Sequence, residues 1–172
     1  PLSSSKEQSF DDRMDAARSE QAASYSGFRS HDPKSGTYEC KYQQNSSSKT
    51  KEGTVMLYFT EDNGRYKLSG STVDDDGVAQ LAEGFATYDG KAWWKETNIT
   101  GESGGLQVLN KGQFDFSNST FEGEWWANTG SHGKFVNFVL QQQADTSKTP
   151  SAPPESAVGG DVEVPFSMAL DQ

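Results

Sequence analysis

The stretch GSTVDDDGVAQLAEGFATYDGKAWWKE, residues 70–96, reads as strands separated by two tight turns. Asp76-Gly77 and Asp89-Gly90 are pairs that tolerate the positive φ of a hairpin connection. Val78–Tyr88 lies between them as one strand candidate, and Lys91–Thr97 follows as the next. No crossover helix fits between the two, so they must run antiparallel. The adjacent pair Trp93-Trp94 adds a constraint. Successive side chains of a strand point to opposite faces, so one tryptophan belongs in the core and the other lies outside or stacks on a neighbouring strand.

The same pattern continues in both directions. Upstream, Tyr38, Cys40 and Tyr42 alternate with Thr37, Glu39 and Lys41, then Val55, Leu57 and Phe59 with Met56 and Tyr58, then Tyr66 and Leu68 with Lys67 and Ser69. Downstream, Leu106–Phe116, Thr120–Ala127 and Lys134–Gln141 have the same period of two, the mark of strands with one buried face. Asn63-Gly64, Gly104-Gly105, Asn118-Ser119 and the run from Gly130 to Gly133 supply the remaining turns. The expectation is an all-β chain of about eight antiparallel strands in sequential hairpins. With no second layer to cover an open sheet, closure into an up-and-down barrel removes the exposed edges.

Composition locates this domain within the chain. Only 32% of the 172 residues are hydrophobic, yet 12% are aromatic, and 16 of the 20 aromatic residues fall between Gly36 and Leu140. The barrel is therefore expected over residues 36–141. Residues 1–35 form a polar N-terminal arm. Within it Ser9 and Asp12 have capping-box spacing, and Phe10, Met14 and Ala17 share one helical face, which predicts a short helix over Phe10–Ala23. Its apolar stripe is thin, so it needs a surface to lie on. Residues 142–172 are Pro- and Ser-rich, an irregular polar arm that ends in the apolar run Val162–Leu170.

Fifteen Lys and Arg against 25 Asp and Glu leave a net charge of −10, which repels phosphate backbones and argues against nucleic acid as a partner. The longest apolar run, Val55–Phe59, is far short of the roughly 20 residues that span a bilayer, so no transmembrane segment is expected. The single cysteine, Cys40, excludes an internal disulfide and a cysteine-rich zinc site.

No residue set presents itself as catalytic or metal-binding. His31 lies in the polar arm and His132 in a glycine-rich turn. Cys40 shares a strand face with Tyr38 and Tyr42 and reads as a structural thiol. Asp74, Asp75 and Asp76 lack the alternate spacing of a calcium loop. Glu122 and Glu124 sit opposite the aromatic face of their strand and read as outward. The aromatic residues are the better binding candidates. Phe85, Trp93, Trp94, Phe114, Phe121 and Trp125 are expected as a ligand-cavity wall if the barrel carries a ligand, because an eight-stranded barrel has room for one small molecule. Phe10, Met14, Val162, Val164, Phe166 and Leu170 are expected at protein contacts of the two arms. Asn45, Asn98 and Asn118 each begin an Asn-x-Ser/Thr site, which in a secreted protein accepts a glycan.

The run 70–96, together with GQFDFSNSTFEGEWW over 112–126 and GKFVNF over 133–138, resembles the strand–turn grammar of avidin-like and lipocalin-like barrels, the calycin-type folds. It also resembles barrel proteins of unicellular eukaryotes. Phe121-x-Gly123-x-Trp125 is the most specific part. The first strand lacks the Gly-x-Trp motif of lipocalins, and no biotin-type residue set maps onto the chain, so the resemblance implies no binding residue.

Two functions follow as expectations. The first is a non-enzymatic accessory or adaptor subunit whose arms and exposed aromatics dock on a larger assembly; the resemblance suggests an organellar membrane complex, such as a photosynthetic one. The second is a calycin-type carrier holding a small apolar ligand or pigment, with no cofactor of its own. An isomerase or cyclase built in the barrel is the third class. The first residue, Pro1, fits removal of a transit peptide, whereas the three glycan sites fit secretion, so the compartment stays open.

Overall fold

Every expected strand forms, and consecutive strands pair antiparallel in chain order. The computed structural model describes residues 8–23, 28–29, 31–75, 77–100 and 105–141. Helix α1 (Phe10–Ala23) precedes strands β1 (Gly36–Gln44), β2 (Thr50–Asp62), β3 (Arg65–Asp74), β4 (Gly77–Ala86), β5 (Lys91–Asn98), β6 (Gln107–Asp115), β7 (Thr120–Ala127) and β8 (His132–Leu140). The eight strands close into a barrel, with β8 returning to β1 in the register Tyr38↔Leu140 to Gln44↔Gly133. The β2–β3 turn shows why local chemistry suffices here. Asn63 and Gly64 take φ values of 52° and 85°, a conformation that asparagine and glycine adopt at least cost.

Side chains alternate across the wall, and irregular register decides which residues the alternation delivers inward. In β4, Ala79 and Leu81 point inward, but the register against β5 slips between Leu81 and Glu83. The extra residue reverses the phase. Phe85 consequently faces outward, while Ala86 joins the interior. A similar slip between Lys41 and Tyr42 on the β1–β8 seam lets Phe135 and Phe138, three residues apart, both serve the interior. At the β6–β7 pair, Gly112 faces Gly123, and a Cβ on Gly123 would lie 2.6 Å from the Phe121 ring. Only glycine lets that ring fold over the strand.

One end of the barrel is filled. The Phe114 ring lies within 4.8–6.5 Å, centre to centre, of Tyr38, Phe59, Trp94, Phe116, Phe121 and Phe138. Most of these contacts are edge-to-face or tilted, the arrangements favoured by the ring quadrupole. The segment before β1 is tied to this closed end. Tyr38 donates to the Lys34 carbonyl at 2.6 Å, and the Phe59 amide donates to Ser35 Oγ at 2.9 Å. Arg29 pairs with Asp32 and Glu61 beside it.

Helix α1 finds its surface on the barrel itself. Ser9 caps it, accepting from the Asp12 amide at 3.1 Å, and Asp11 and Asp12 complement the positive end of the helix dipole. Its stripe of Phe10, Met14 and Ala17 packs on Phe85, Trp93 and Leu109 from the outer faces of β4, β5 and β6, with Trp126 at the edge. Burying a side chain such as Met14 contributes about 1.5–3 kcal/mol. Polar contacts orient the rest: Arg18 forks onto Glu83 at 2.7 and 3.1 Å, Lys111 meets Glu20 at 2.9 Å, and Arg13 stacks 4.5 Å from the Trp126 ring centre.

Candidate functional site

The opposite end of the barrel is open. On β5 and β6 the large rings of the closed end give way to smaller side chains toward this mouth. On β5 the inward series is Ala92, Trp94, Glu96 and Asn98; on β6 it is Phe114, Gly112, Asn110 and Val108. Thr72 and Asp74 end β3, and Cys40 and Tyr42 lead to the end of β1. Replacing rings by short polar side chains leaves a cavity of about 280 Å³. Trp125 and Phe135 add aromatic wall, and Lys49 and Lys51 stand exposed at the rim.

Glu96 is the chemical centre of this cup. Its Oε2 accepts from Trp94 Nε1 and from Asn110 Nδ2, both at 2.9 Å, and Thr72 Oγ1 approaches Oε1 at 3.5 Å. The residue is half-buried, with its accessible part turned to the cavity and protein around the rest. Burial raises its pKa to about 7, and the negative charge of Asp74 pushes the same way, against the three hydrogen bonds. The carboxyl thus changes protonation near neutrality. Asp74 accepts from the Tyr42 hydroxyl at 3.4 Å, and the Tyr42 ring meets Trp125 edge-on, with centres 6.0 Å apart.

Cys40 also borders the cavity, but burial pushes its thiol up to about 12, helped by the charges of Glu96 and Asp74. It is a neutral thiol at physiological pH and no nucleophile. Glu122 and Glu124 are exposed on the outside of β7. His132 opens β8, its Nδ1 3.0 Å from Asn45 Nδ2, and His31 is exposed ahead of β1. Among the described residues no three His, Cys, Asp or Glu side chains converge as metal ligands. Asn98 is buried at the cavity wall, a poor position for a glycan, whereas Asn45 and Asn118 are exposed.

The six aromatics expected around a ligand separate into three groups. Trp125 lines the cavity. Trp94, Phe114 and Phe121 belong to the packed interior beneath it, where Trp94 supplies its indole N–H to Glu96. Phe85 and Trp93 lie on the outer wall under α1, Phe85 because of the β4 register slip and Trp93 because Trp94 takes the inward place. Of the residues expected at partner contacts, Met14 is 2% exposed against the barrel and Phe10 packs at the margin of the same cluster. Val162, Val164, Phe166 and Leu170 lie outside the described residues, as does Asp76. Glu96, Asn110 and Thr72 were not among the sequence candidates. The signal for Glu96 was available: it shares a strand face with Trp94 by the period of two.

Fold and site together define a closed eight-stranded barrel with a solid aromatic half and a polar cup. Neither a family model nor a curated protein matches the chain. No helix among the described residues is long and apolar enough to cross a membrane.

Proposed function

We propose that the protein is a binding barrel of calycin type, a carrier that holds one small molecule in the cup at the open end. The observation that carries this reading is the division of the interior: rings fill one half, while the other half keeps a cavity of about 280 Å³ around a hydrogen-bonded carboxyl. Binding sites are concave, with mostly apolar walls and a few placed polar groups, and barrel mouths are a common location. The volume sits at the lower edge of the usual range of about 300–1,000 Å³, which suits a ligand of one or two rings.

The adaptor reading draws on residues 142–172, outside the described residues, and on a helix whose apolar stripe is used by its own barrel. The carrier reading is therefore preferred. An isomerase or cyclase in the same cup has one observation in its favour, the protonation of Glu96 changing near neutrality, which suits an acid–base group.

The test is tryptophan fluorescence of the full chain titrated with a panel of small aromatic alcohols and amines. A saturable shift is expected for part of the panel. Val108→Trp, which places a large ring in the cup, is expected to abolish it while circular dichroism and the unfolding midpoint stay unchanged. A wild-type protein that responds to no member, or a Val108→Trp variant that binds as well as wild type, overturns the proposal.

A further inference from the structure

We infer that the cup selects a small organic cation: a protonated amine on an aromatic body, its ammonium group set against Glu96 and its ring against Tyr42 and Trp125. The inference rests on the carrier reading and adds the chemical class of the ligand.

Three features of the cup converge on this class. The first is the hydrogen bonding of Glu96. All its donors are neutral, and no lysine or arginine among the described residues pairs with it. An ionised carboxylate offers about four acceptor sites. Trp94 and Asn110 both use Oε2, while Oε1 has only the 3.5 Å contact of Thr72, at the outer limit of a hydrogen bond. Oε1 therefore has capacity for a strong donor, which an ammonium group supplies and a purely apolar ligand does not.

The second feature is charge. Asp74, on β3 with β4 between it and Glu96, borders the same cavity, so two carboxyls line the cup and burial makes negative charge costly at Glu96. A cation relieves both, and an anion meets repulsion from both. The rim lysines, Lys49 and Lys51, are exposed, and the solvent around them screens their charge. The third feature is the wall. Tyr42, Trp125 and Phe135 present ring surface, and a cation within about 6 Å of a tyrosine or tryptophan face is attracted by the ring quadrupole.

The experiment compares three isosteres on the full chain: a 2-arylethylamine, the corresponding alcohol and the corresponding carboxylate. Binding is read by tryptophan fluorescence and calorimetry at pH 8. The amine is expected to bind at least about tenfold tighter than the alcohol, since a charge-assisted hydrogen bond is roughly twice as strong as a neutral one. Glu96→Gln, which keeps shape and loses charge, is expected to erase that difference. Wild-type protein gives an independent reading: amine affinity is expected to fall about tenfold or more from pH 8 to pH 5.5, as Glu96 takes up a proton. The groups facing Glu96 in this range are Asp74 and Thr72 from β3, Cys40 and Tyr42 from β1, Asn110 from β6 and Trp125 from β7, with Lys49 and Lys51 at the rim.

If the alcohol binds as tightly as the amine, or Glu96→Gln leaves the amine preference intact, the cation assignment falls and the carrier reading stands. If no isostere binds wild-type protein and the wider panel is also silent, both fall.

Discussion

Around Phe114 the barrel holds six further rings within 6.5 Å, whereas at the mouth β3, β5 and β6 carry Thr72, Asp74, Glu96, Asn98 and Asn110 around a cavity. Two residues separate the two regimes on β5 and four on β6. Trp94 and Glu96 are neighbours on one face of β5, and the indole N–H of one is a hydrogen-bond donor to the other. The closed half supplies the apolar burial that drives folding. That stability lets the open half keep a raised carboxyl and an unfilled volume, both of which cost free energy.

The comparison breaks most directly through truncation at its two ends. Phe114→Ala is expected to lower unfolding free energy by about 3–5 kcal/mol in denaturant titration, from lost burial and the cavity left behind. Val108→Ala, at the cup, is expected to cost about 1 kcal/mol or less, because Val108 already borders open volume. Equal costs would remove the distinction between a stabilising half and a binding half.

Next in size is the titration of Glu96. Its folded pKa is raised to about 7 from a usual value of 4.5, so the folded state binds more protons than the unfolded state between those limits. Stability is then fully present below about pH 4.5 and is lost as pH rises through 7. Loss from this group of up to about 3 kcal/mol is expected between pH 5 and pH 8. Glu96→Gln is expected to flatten that part of the stability profile, measured as the difference between the two proteins so that other groups cancel.

The smallest expected effect lies on the outer wall. Arg18→Ala removes a forked ion pair to Glu83 whose two side chains are 45% and 37% exposed, and is expected to cost less than about 1 kcal/mol. The cost is expected to shrink further in high salt. A larger loss would show that α1 is held by charge rather than by Met14 and Ala17, and Met14→Ala in the same titration distinguishes the two.

Much of the architecture was legible because it is written in local chemistry. Asn63-Gly64 and Asp89-Gly90 act through their own φ preferences, and the period of two acts between adjacent residues. The Ser9 cap and the run from Phe10 to Ala23 likewise specify a helix within one stretch of chain. The site was less legible. Phe85 reads as inward on strict alternation and is not, because a register slip depends on how β4 and β5 meet. Glu96 could be placed on the face of Trp94, but not assigned its partners: Asn110 stands opposite Trp94 only in the β5–β6 register, and Thr72 lies two strands away on β3, within reach only once the sheet curls.

By itself, then, the sequence determined eight antiparallel strands, their turns and a capped helix, since each follows from the torsional and hydrophobic preferences of near neighbours. Tertiary structure alone decided that α1 lies on the outer wall at Phe85, Trp93 and Leu109. It alone decided that the interior is filled at one end and open at the other, and that a glutamate at the boundary has its pKa raised to about 7. Those outcomes depend on solvent exclusion and on contacts between distant segments, quantities that exist only once the barrel has closed.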